Sequence, residues 1–590
     1  MIEGAAIVVL GPSAAPLGRR IADALPGAEL HAPARRGIAA DVPFADAVPH
    51  IAALFAAGRP IVGLCAAGIL LRAVAPLLAD KRSEPPLLAV AEDGSCAVPL
   101  LGGHRGANEM ALTIARLTGG QAAITTASEV RLGFALDAPP PGWRIANPDK
   151  VKDIAAALLA GERVALRCEA GDADWLSEIP FVAEAPKTIR ITDRVTRGGE
   201  ALVYHPPVLA LGVGCARGCA ADELGALATK TLAEAGLAAG AVALVASLDI
   251  KMDEPAVEAL AAMLDVPARF FPADRLLTET SRLKNPSETV FRAVGCWGVA
   301  EGAALAAVGG TGALVVEKKR SANATCAIAR ASRSLDAGTI GQRRGSLAIV
   351  GIGPGDRAAR TFAAEAALAC AEDVVGLPLY LDLLGASVAG KRLHASPLGE
   401  EAARARLALE LAGEGRAVAL VSSGDAGIYG LASLVFELLE REAASSWQRV
   451  ALEVVPGVSA LQAAAARLGA PLGHDFCAIS LSDLMTPWPV IERRLEAAAA
   501  GDFVVALFNP RSERRRTQLS RAREIFRRAR DPATPVALAR NLGRAGERVT
   551  LATLGEFDES AVDMLTIVII GSSRTRRVGA RLYTPRGYFP

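Results

Sequence analysis

The chain has 590 residues and a net charge of +1, with 64 Lys and Arg against 63 Asp and Glu. That length exceeds one hydrophobic core and predicts roughly three to five domains. The balanced charge gives no footing for a nucleic-acid or anionic-membrane partner. An aromatic share of 4% beside 51% apolar residues suits small-residue helices packed closely on sheets.

The first segment opens with a strand, Ala5 to Leu10, followed by Gly11-Pro12 and a helix ending near Leu25. A helix around Val48 to Ala57 precedes a buried strand, Ile61 to Leu64. Further strands are predicted at Leu87 to Ala91 and Ala97 to Leu100. Gly102-Gly-His-Arg-Gly-Ala-Asn108 then opens a helix, Glu109 to Leu117. Strands alternating with helices predict an α/β fold with a parallel sheet. This lobe ends near residue 135. Residues 136–206 form a less regular middle region, with a helix at Val151 to Leu159 and a strand at Thr188 to Thr192. A third lobe, 207–331, starts with a strand from Val208 to Val213 and a helix from Asp222 to Ala235. Residues 332–345, rich in arginine, glycine and serine, read as an exposed linker. The last unit occupies 346–590.

The nine cysteines are scattered, odd in number and without a Cys-x-x-Cys pair, which predicts a reducing cytoplasm rather than a disulfide framework. Cys215 and Cys219 lack a second ligand pair at zinc spacing, so no metal is expected. No basic start with an apolar run marks a signal peptide. The longest apolar runs fall short of the ~20 residues that span a bilayer. The arginines between Arg511 and Arg530 are interrupted by Glu513 and Glu524 and read as a solvated helical face.

The chemistry concentrates in the last unit. Leu347 to Val350 runs straight into Gly351-Ile-Gly-Pro-Gly-Asp356. The turn resembles a dinucleotide loop, but Asp356 stands where a third glycine belongs and Pro354 removes an N–H. Four more strand ends share the layout: Ser422-Ser-Gly-Asp-Ala-Gly-Ile-Tyr-Gly430, Pro456-Gly-Val-Ser-Ala460, Leu507-Phe-Asn-Pro-Arg511 and the run from Leu565 to Gly571. Parallel strands gather such loops at one sheet edge, where ligands bind.

These loops resemble the signature loops of the S-adenosylmethionine-dependent tetrapyrrole methyltransferases of the cobalamin pathway. With Gly473-His-Asp-Phe476, Leu481-Ser-Asp-Leu484, Ala539-Arg-Asn-Leu-Gly543, Asp563-Met-Leu-Thr566 and Tyr583-Thr-Pro-Arg-Gly-Tyr588, residues 346–590 resemble the precorrin-3B C17-methyltransferase family. The resemblance implies a two-lobed α/β methyltransferase fold and homodimers formed through this part. It implies transfer of a methyl group from S-adenosyl-L-methionine to ring carbon C17 of precorrin-3B, with ring contraction to precorrin-4. The implied cofactor-binding residues are Gly351, Pro354, Gly355, Gly424, Asp425, Ile428, Tyr429, Ser459, Ala460, Leu507, Ala539 and Thr566. Arg511 and Arg540 are candidates for the carboxylates of the tetrapyrrole substrate. His474, Asp425 and Asp483 are candidates for the base or orienting group that ring contraction needs. Arg357, Leu377 and Ala426 depart from the family's usual residues.

The front of the chain resembles cobalt-precorrin-5A hydrolases through Leu64-Cys-Ala-Ala-Gly-Ile69, Gly102 to Asn108, Gly212-Val-Gly-Cys-Ala-Arg-Gly218, Ser247-Leu-Asp-Ile-Lys251, Phe271-Pro-Ala-Asp-Arg-Leu276 and Gly298-Val-Ala-Glu301. That implies lactone opening with release of acetaldehyde. Here His104 is the candidate catalytic base, and a loop histidine bonding to backbone is the alternative. The expected whole is a multifunctional cytoplasmic enzyme. A carrier role for the front half, binding or delivering corrinoid intermediates, is the other reading.

Overall fold

A computed structural model describes residues 4–79, 84–125, 135–196, 198–442 and 446–588, apart from the His104 side chain. The chain divides into two compact units, 1–344 and 345–590.

The first unit holds three sheets. β1 (Ala6–Val9), β2 (Glu29–Pro33), β3 (Val42–Phe44), β4 (Ile61–Leu64), β5 (Leu87–Val90), β6 (Cys96–Leu101) and β7 (Gln121–Ala122) lie in the order β3-β2-β1-β4-β5-β6-β7. The expected parallel pairing holds from β3 to β5, and β6 runs antiparallel to β5. β1 is buried on both faces: Ile7 and Val9 join one apolar cluster, Ala6 and Val8 another. That explains a continuous apolar run rather than an alternating one. The middle region forms β8 (Arg144–Ile145), β9 (Val164–Cys168), β10 (Lys187–Ile191) and β11 (Leu202–His205), in the order β8-β11-β10-β9. The helix Val151–Leu159 beside it has the expected bounds.

The third sheet runs β14-β13-β12-β16-β15, from β12 (Leu209–Cys215), β13 (Val242–Leu248), β14 (Ala268–Phe271), β15 (Ala313–Arg320) and β16 (Ala324–Arg330). The helix Val299–Val308 presses so closely on β12 that a Cβ on Gly212 would lie 2.0 Å from the Ala300 carbonyl. Its run of alanines and glycine is what permits that approach. Of residues 332–345, expected as an exposed linker, the part up to Gln342 is strapped to this unit. Phe270 and Gln342 exchange backbone hydrogen bonds of 2.7 and 2.8 Å, and the Leu335 N–H donates to Pro207. Leu335 and Ile340 explain the docking, since both pack on the apolar cluster of the third sheet.

The second unit has two principal sheets. The first is wholly parallel, in the order β19-β18-β20-β17-β21, from β17 (Ser346–Gly351), β18 (Asp373–Gly376), β19 (Arg392–Ala395), β20 (Ala417–Ser422) and β21 (Ala451–Val455). After the short β22 (Gly469–Ala470) come β23 (Phe476–Ser480), β24 (Val504–Phe508), β25 (Pro535–Arg540), β26 (Arg548–Thr553) and β27 (Thr566–Ile570), a mixed sheet ordered β23-β24-β27-β25-β26. β22 also pairs with the terminal hairpin β28 (Arg576–Val578) and β29 (Arg581–Tyr583). Among the described residues no single helix is long and apolar enough to cross a membrane.

Candidate active site

Three neighbouring strands bring their C-terminal loops to one level. Gly351 on β17 pairs with Ser422 on β20, and Val350 pairs with Val455 on β21. The loops then touch through their backbones. Gly353 and Gly424 exchange N–H···O bonds of 3.1 and 2.8 Å, at φ of +78° and +69°. A Cβ on Gly351 would stand 2.7 Å from both the Gly424 carbonyl and the Gly457 nitrogen. Bare backbone is the only surface these positions accept.

Asp425 fixes the arrangement. One carboxylate oxygen accepts the Gly427 N–H at 2.8 Å, and the other accepts the Gly457 N–H at 3.0 Å, tying the loop after β20 to the loop after β21. The next helix, Ala460–Leu468, starts from a capping box: the Ser459 hydroxyl accepts the Gln462 N–H while the Gln462 side chain accepts the Ser459 N–H. That satisfies two otherwise orphaned donors at the cleft wall.

The second sheet supplies the opposite wall. Asn509 after β24 and Asn541 after β25 both adopt positive φ, +49° and +56°. The Asn541 N–H donates to Leu565 at 2.9 Å. Arg515, almost wholly buried, donates to the Asn509 carbonyl at 2.9 Å and to the Ser482 hydroxyl at 3.0 Å, so two turns are braced from behind. The Tyr429 hydroxyl donates across to the Ala478 carbonyl at 3.0 Å, and its ring lies 5.2 Å from that of Phe508. Between the walls lies an open cleft with a cavity volume of about 210 Å³.

Of the residues the sequence singled out, Pro354, Gly424, Asp425, Ile428, Tyr429, Ser459, Ala460, Ala539 and Thr566 line this cleft. Gly351 and Gly355 stand behind the lining, filled against the Gly424 carbonyl and the Arg544 side chain respectively. The Leu507 side chain points into the core of the mixed sheet, and Phe508 and Asn509 take its expected place. Arg511 donates to the Glu559 carbonyl at 2.6 Å, and Arg540 pairs with Asp563 at 2.8 Å; neither lines the cleft. His474 is exposed, with Nδ1 accepting the Asp475 N–H at 2.8 Å, and Asp483 accepts from Gln518 at 2.8 Å. Neither lines the cleft: His474 is turned onto its own neighbour and Asp483 onto Gln518. Tyr380, Asn509, Asn541 and Arg544 line the cleft without having been singled out. Arg544 directly follows a motif glycine, and that adjacency was the available signal.

The family model of Tetrapyrrole (Corrin/Porphyrin) Methylases matches residues 346–558. The Salmonella typhimurium protein named probable cobalt-factor III C(17)-methyltransferase is 46% identical over 242 residues, spanning 41% of this chain and 99% of that protein. The chain belongs to the tetrapyrrole methylase family. A Sinorhizobium precorrin-3B C(17)-methyltransferase is 45% identical over 249 residues, 41% of this chain and 97% of its own. The crystallographically solved methyltransferase CobJ shares 41% identity over 41% of this chain and 100% of its own, with a TM-score of 0.39. Ahead of the tetrapyrrole methylase part, models of the cobalamin synthesis G N-terminal part, a cobalamin biosynthesis central region and the cobalamin synthesis G C-terminus match residues 49–129, 136–206 and 209–329. This tetrapyrrole methylase is therefore fused to a cobalamin synthesis G-like half.

In that front half, Gly102 and Gly106 bracket the His104 turn at φ of +66° and +105°; the His104 side chain lies outside the described residues. Lys251, just after β13, lies 3.4 Å from the fully buried Glu254 carboxylate. Glu254 also accepts the Gly218 N–H at 2.9 Å, so it occupies the turn after β12. Burial pushes the neighbouring Cys215 thiol up to about 11, which leaves it a poor nucleophile. Glu301 accepts four hydrogen bonds, from the backbone of Lys284, Asn285 and Lys318 and from the Asn285 amide, and is a structural anchor.

Proposed function

We propose that residues 346–590 methylate ring carbon C17 of precorrin-3B, or of its cobalt factor, with ring contraction. We assign to residues 1–331 a lactone-opening activity on a cobalt-precorrin-5A-type intermediate, with release of acetaldehyde. The observation that carries the reading is the glycine-walled cleft, lying in a unit that covers nearly the whole length of two C17-methyltransferases.

The cleft fits S-adenosyl-L-methionine in three respects. Gly424, held by its paired bonds to Gly353, gives a backbone surface that a flat, close-lying ligand can approach. Ile428, Ala460 and Ala539 offer apolar faces, and Asp425 offers a carboxylate to hydroxyl or ammonium donors. When bound, that cofactor supplies a methyl group already activated on a sulfonium. What remains for the protein is to hold the ring carbon in line with it, a matter of positioning. Asp425 suits orientation better than proton removal, since each of its oxygens already accepts a backbone N–H. The Tyr429 bond to Ala478 ties one wall to the other, and the Arg515 brace holds two turns of the second-sheet wall.

Fusing two steps raises the local concentration of a shared intermediate without a new contact. Nine free cysteines support a reducing cytoplasm. Nearly bare Phe362 and Met485 side chains support homodimer formation through the methyltransferase part, which light scattering would test. The test of function is to incubate the purified chain with labelled S-adenosyl-L-methionine and either precorrin-3B or its cobalt factor. Methyl uptake on one of them is expected. Acetaldehyde release from a lactone substrate separates an active front half from a carrier, and its absence would favour the carrier.

A further inference from the structure

Arg544 is the cation of the cleft, and its charge is not spent. Its Nε donates to the Pro354 carbonyl at 2.8 Å and one terminal nitrogen donates to the Ser423 hydroxyl at 2.9 Å. Both acceptors are neutral. Among the described residues no carboxylate stands within ion-pair distance of it. Burial holds its pKa below the ordinary arginine value, and the ionisable group acting on it is the Tyr380 phenol, which burial keeps protonated. A half-buried guanidinium with neutral partners is an expensive arrangement unless a ligand completes it.

The surrounding chain is built to present this side chain. Gly543 takes φ of +68°, its N–H donates to Glu547 at 2.7 Å, and Glu547 in turn holds Arg467. The Arg544 stem lies where a Cβ on Gly355 would be, 2.5 Å away. The two bonds to Pro354 and Ser423 fix the plane of the fork, and one terminal nitrogen keeps both its hydrogens free for the cleft. A fixed fork with free N–H groups matches a carboxylate.

We propose that Arg544 is a positioning residue that binds a carboxylate of the cleft ligand. The inference rests on the methyltransferase reading, in which two such groups enter the cleft: the carboxylate at the methionine end of the cofactor and the acid side chains of the macrocycle. The chemistry of the site is the same for both.

The test uses the full chain, R544Q and R544K. Binding of S-adenosylhomocysteine and of 5′-methylthioadenosine, which lacks the amino-acid end, is measured by calorimetry, and KM and kcat are measured for the tetrapyrrole. If the macrocycle supplies the carboxylate, KM for the tetrapyrrole rises at least about tenfold in R544Q with S-adenosylhomocysteine binding unchanged. If the cofactor supplies it, S-adenosylhomocysteine binding weakens by that factor and 5′-methylthioadenosine binding does not. R544K keeps the charge but not the fork, and falls between. A folded R544Q with both affinities within twofold of the parent overturns the proposal. Should R544Q fail to fold, the parent protein answers instead: a tetrapyrrole with esterified acid groups and 5′-methylthioadenosine must between them show one tenfold loss against their carboxylate forms, and equal binding of each pair overturns the proposal. A parent chain that binds no S-adenosylhomocysteine and methylates no tetrapyrrole would sink the functional reading itself, a separate outcome.

Discussion

The Asp425 carboxylate accepts the Gly457 N–H at 3.0 Å, and through that bond the loop after β20 holds the loop after β21. The other oxygen closes Asp425's own turn on Gly427. Both bonds are charge-assisted, each worth on the order of 1.5–3 kcal/mol. D425A should therefore weaken S-adenosylhomocysteine binding by at least about tenfold and lower the melting temperature. D425N keeps one acceptor oxygen and should lose less of both. Calorimetry and thermal melts on the full chain check this. Unchanged binding in a folded D425A would mean that the loops hold without the carboxylate.

Gly351 makes the sharper steric prediction. Its missing Cβ would meet two backbone atoms at 2.7 Å, neither of which can rotate away. G351A must push the loops after β20 and β21 apart, at about 1–3 kcal/mol of overpacking. The expected result is a lower melting temperature and loss of the stabilisation that S-adenosylhomocysteine gives the parent. A substitution at Gly390, where a Cβ meets nothing, is the control for the melt, with allowance for its φ of +75°.

The layers of the fold were legible because buried parallel strands are continuous apolar runs bounded by glycine or proline, as at Ile61–Leu64 and Ser346–Gly351. The site was legible where backbone made it, at the glycine loops. It was not legible where a side chain's direction decides. Leu507 and Phe508 are adjacent, and the pleat sends the first into the core and the second to the cleft. Arg511, Arg540 and Arg544 look equivalent in sequence. The first two are taken up by Glu559 and Asp563 and only the third reaches the cleft. Segment 332–345 reads as a linker because its arginines outweigh Leu335 and Ile340, whose packing on the third sheet the sequence does not show.

His474 and Asp483 carry a kinetic prediction. A general base has to reach the proton it removes, directly or through one water. His474 is exposed and bonded to its neighbour, and Asp483 is held by Gln518. H474A and D483N should each leave kcat within about fivefold of the parent and leave S-adenosylhomocysteine binding intact. A drop of 10²-fold or more in kcat at unchanged KM, the size expected of a lost general base, would restore the group concerned as the base.

The front unit should be acid-sensitive through His31. Its ring is buried on β2, with Nδ1 2.9 Å from Nε2 of His50 and the ring of His50 stacked on Phe44. Burial, with the Arg59 guanidinium and His50 nearby, lowers its pKa to about 4; burial and Arg59 lower that of His50 as well. Glu29 and Asp41 oppose the shift without reversing it. With the folded value below the unfolded one, the unfolded chain binds the extra proton between pH 6.5 and 4. Stability is full above pH 6.5 and falls as the pH drops through that window, by up to about 3 kcal/mol for His31 alone. Urea titrations of the full chain at pH 7.5, 6 and 5 should show the transition of this unit moving to lower denaturant. H31N cannot take up the proton, so its transition should move less over the same range, whatever the substitution costs at pH 7.5. Parallel pH dependence in the parent and H31N would remove His31 as the cause.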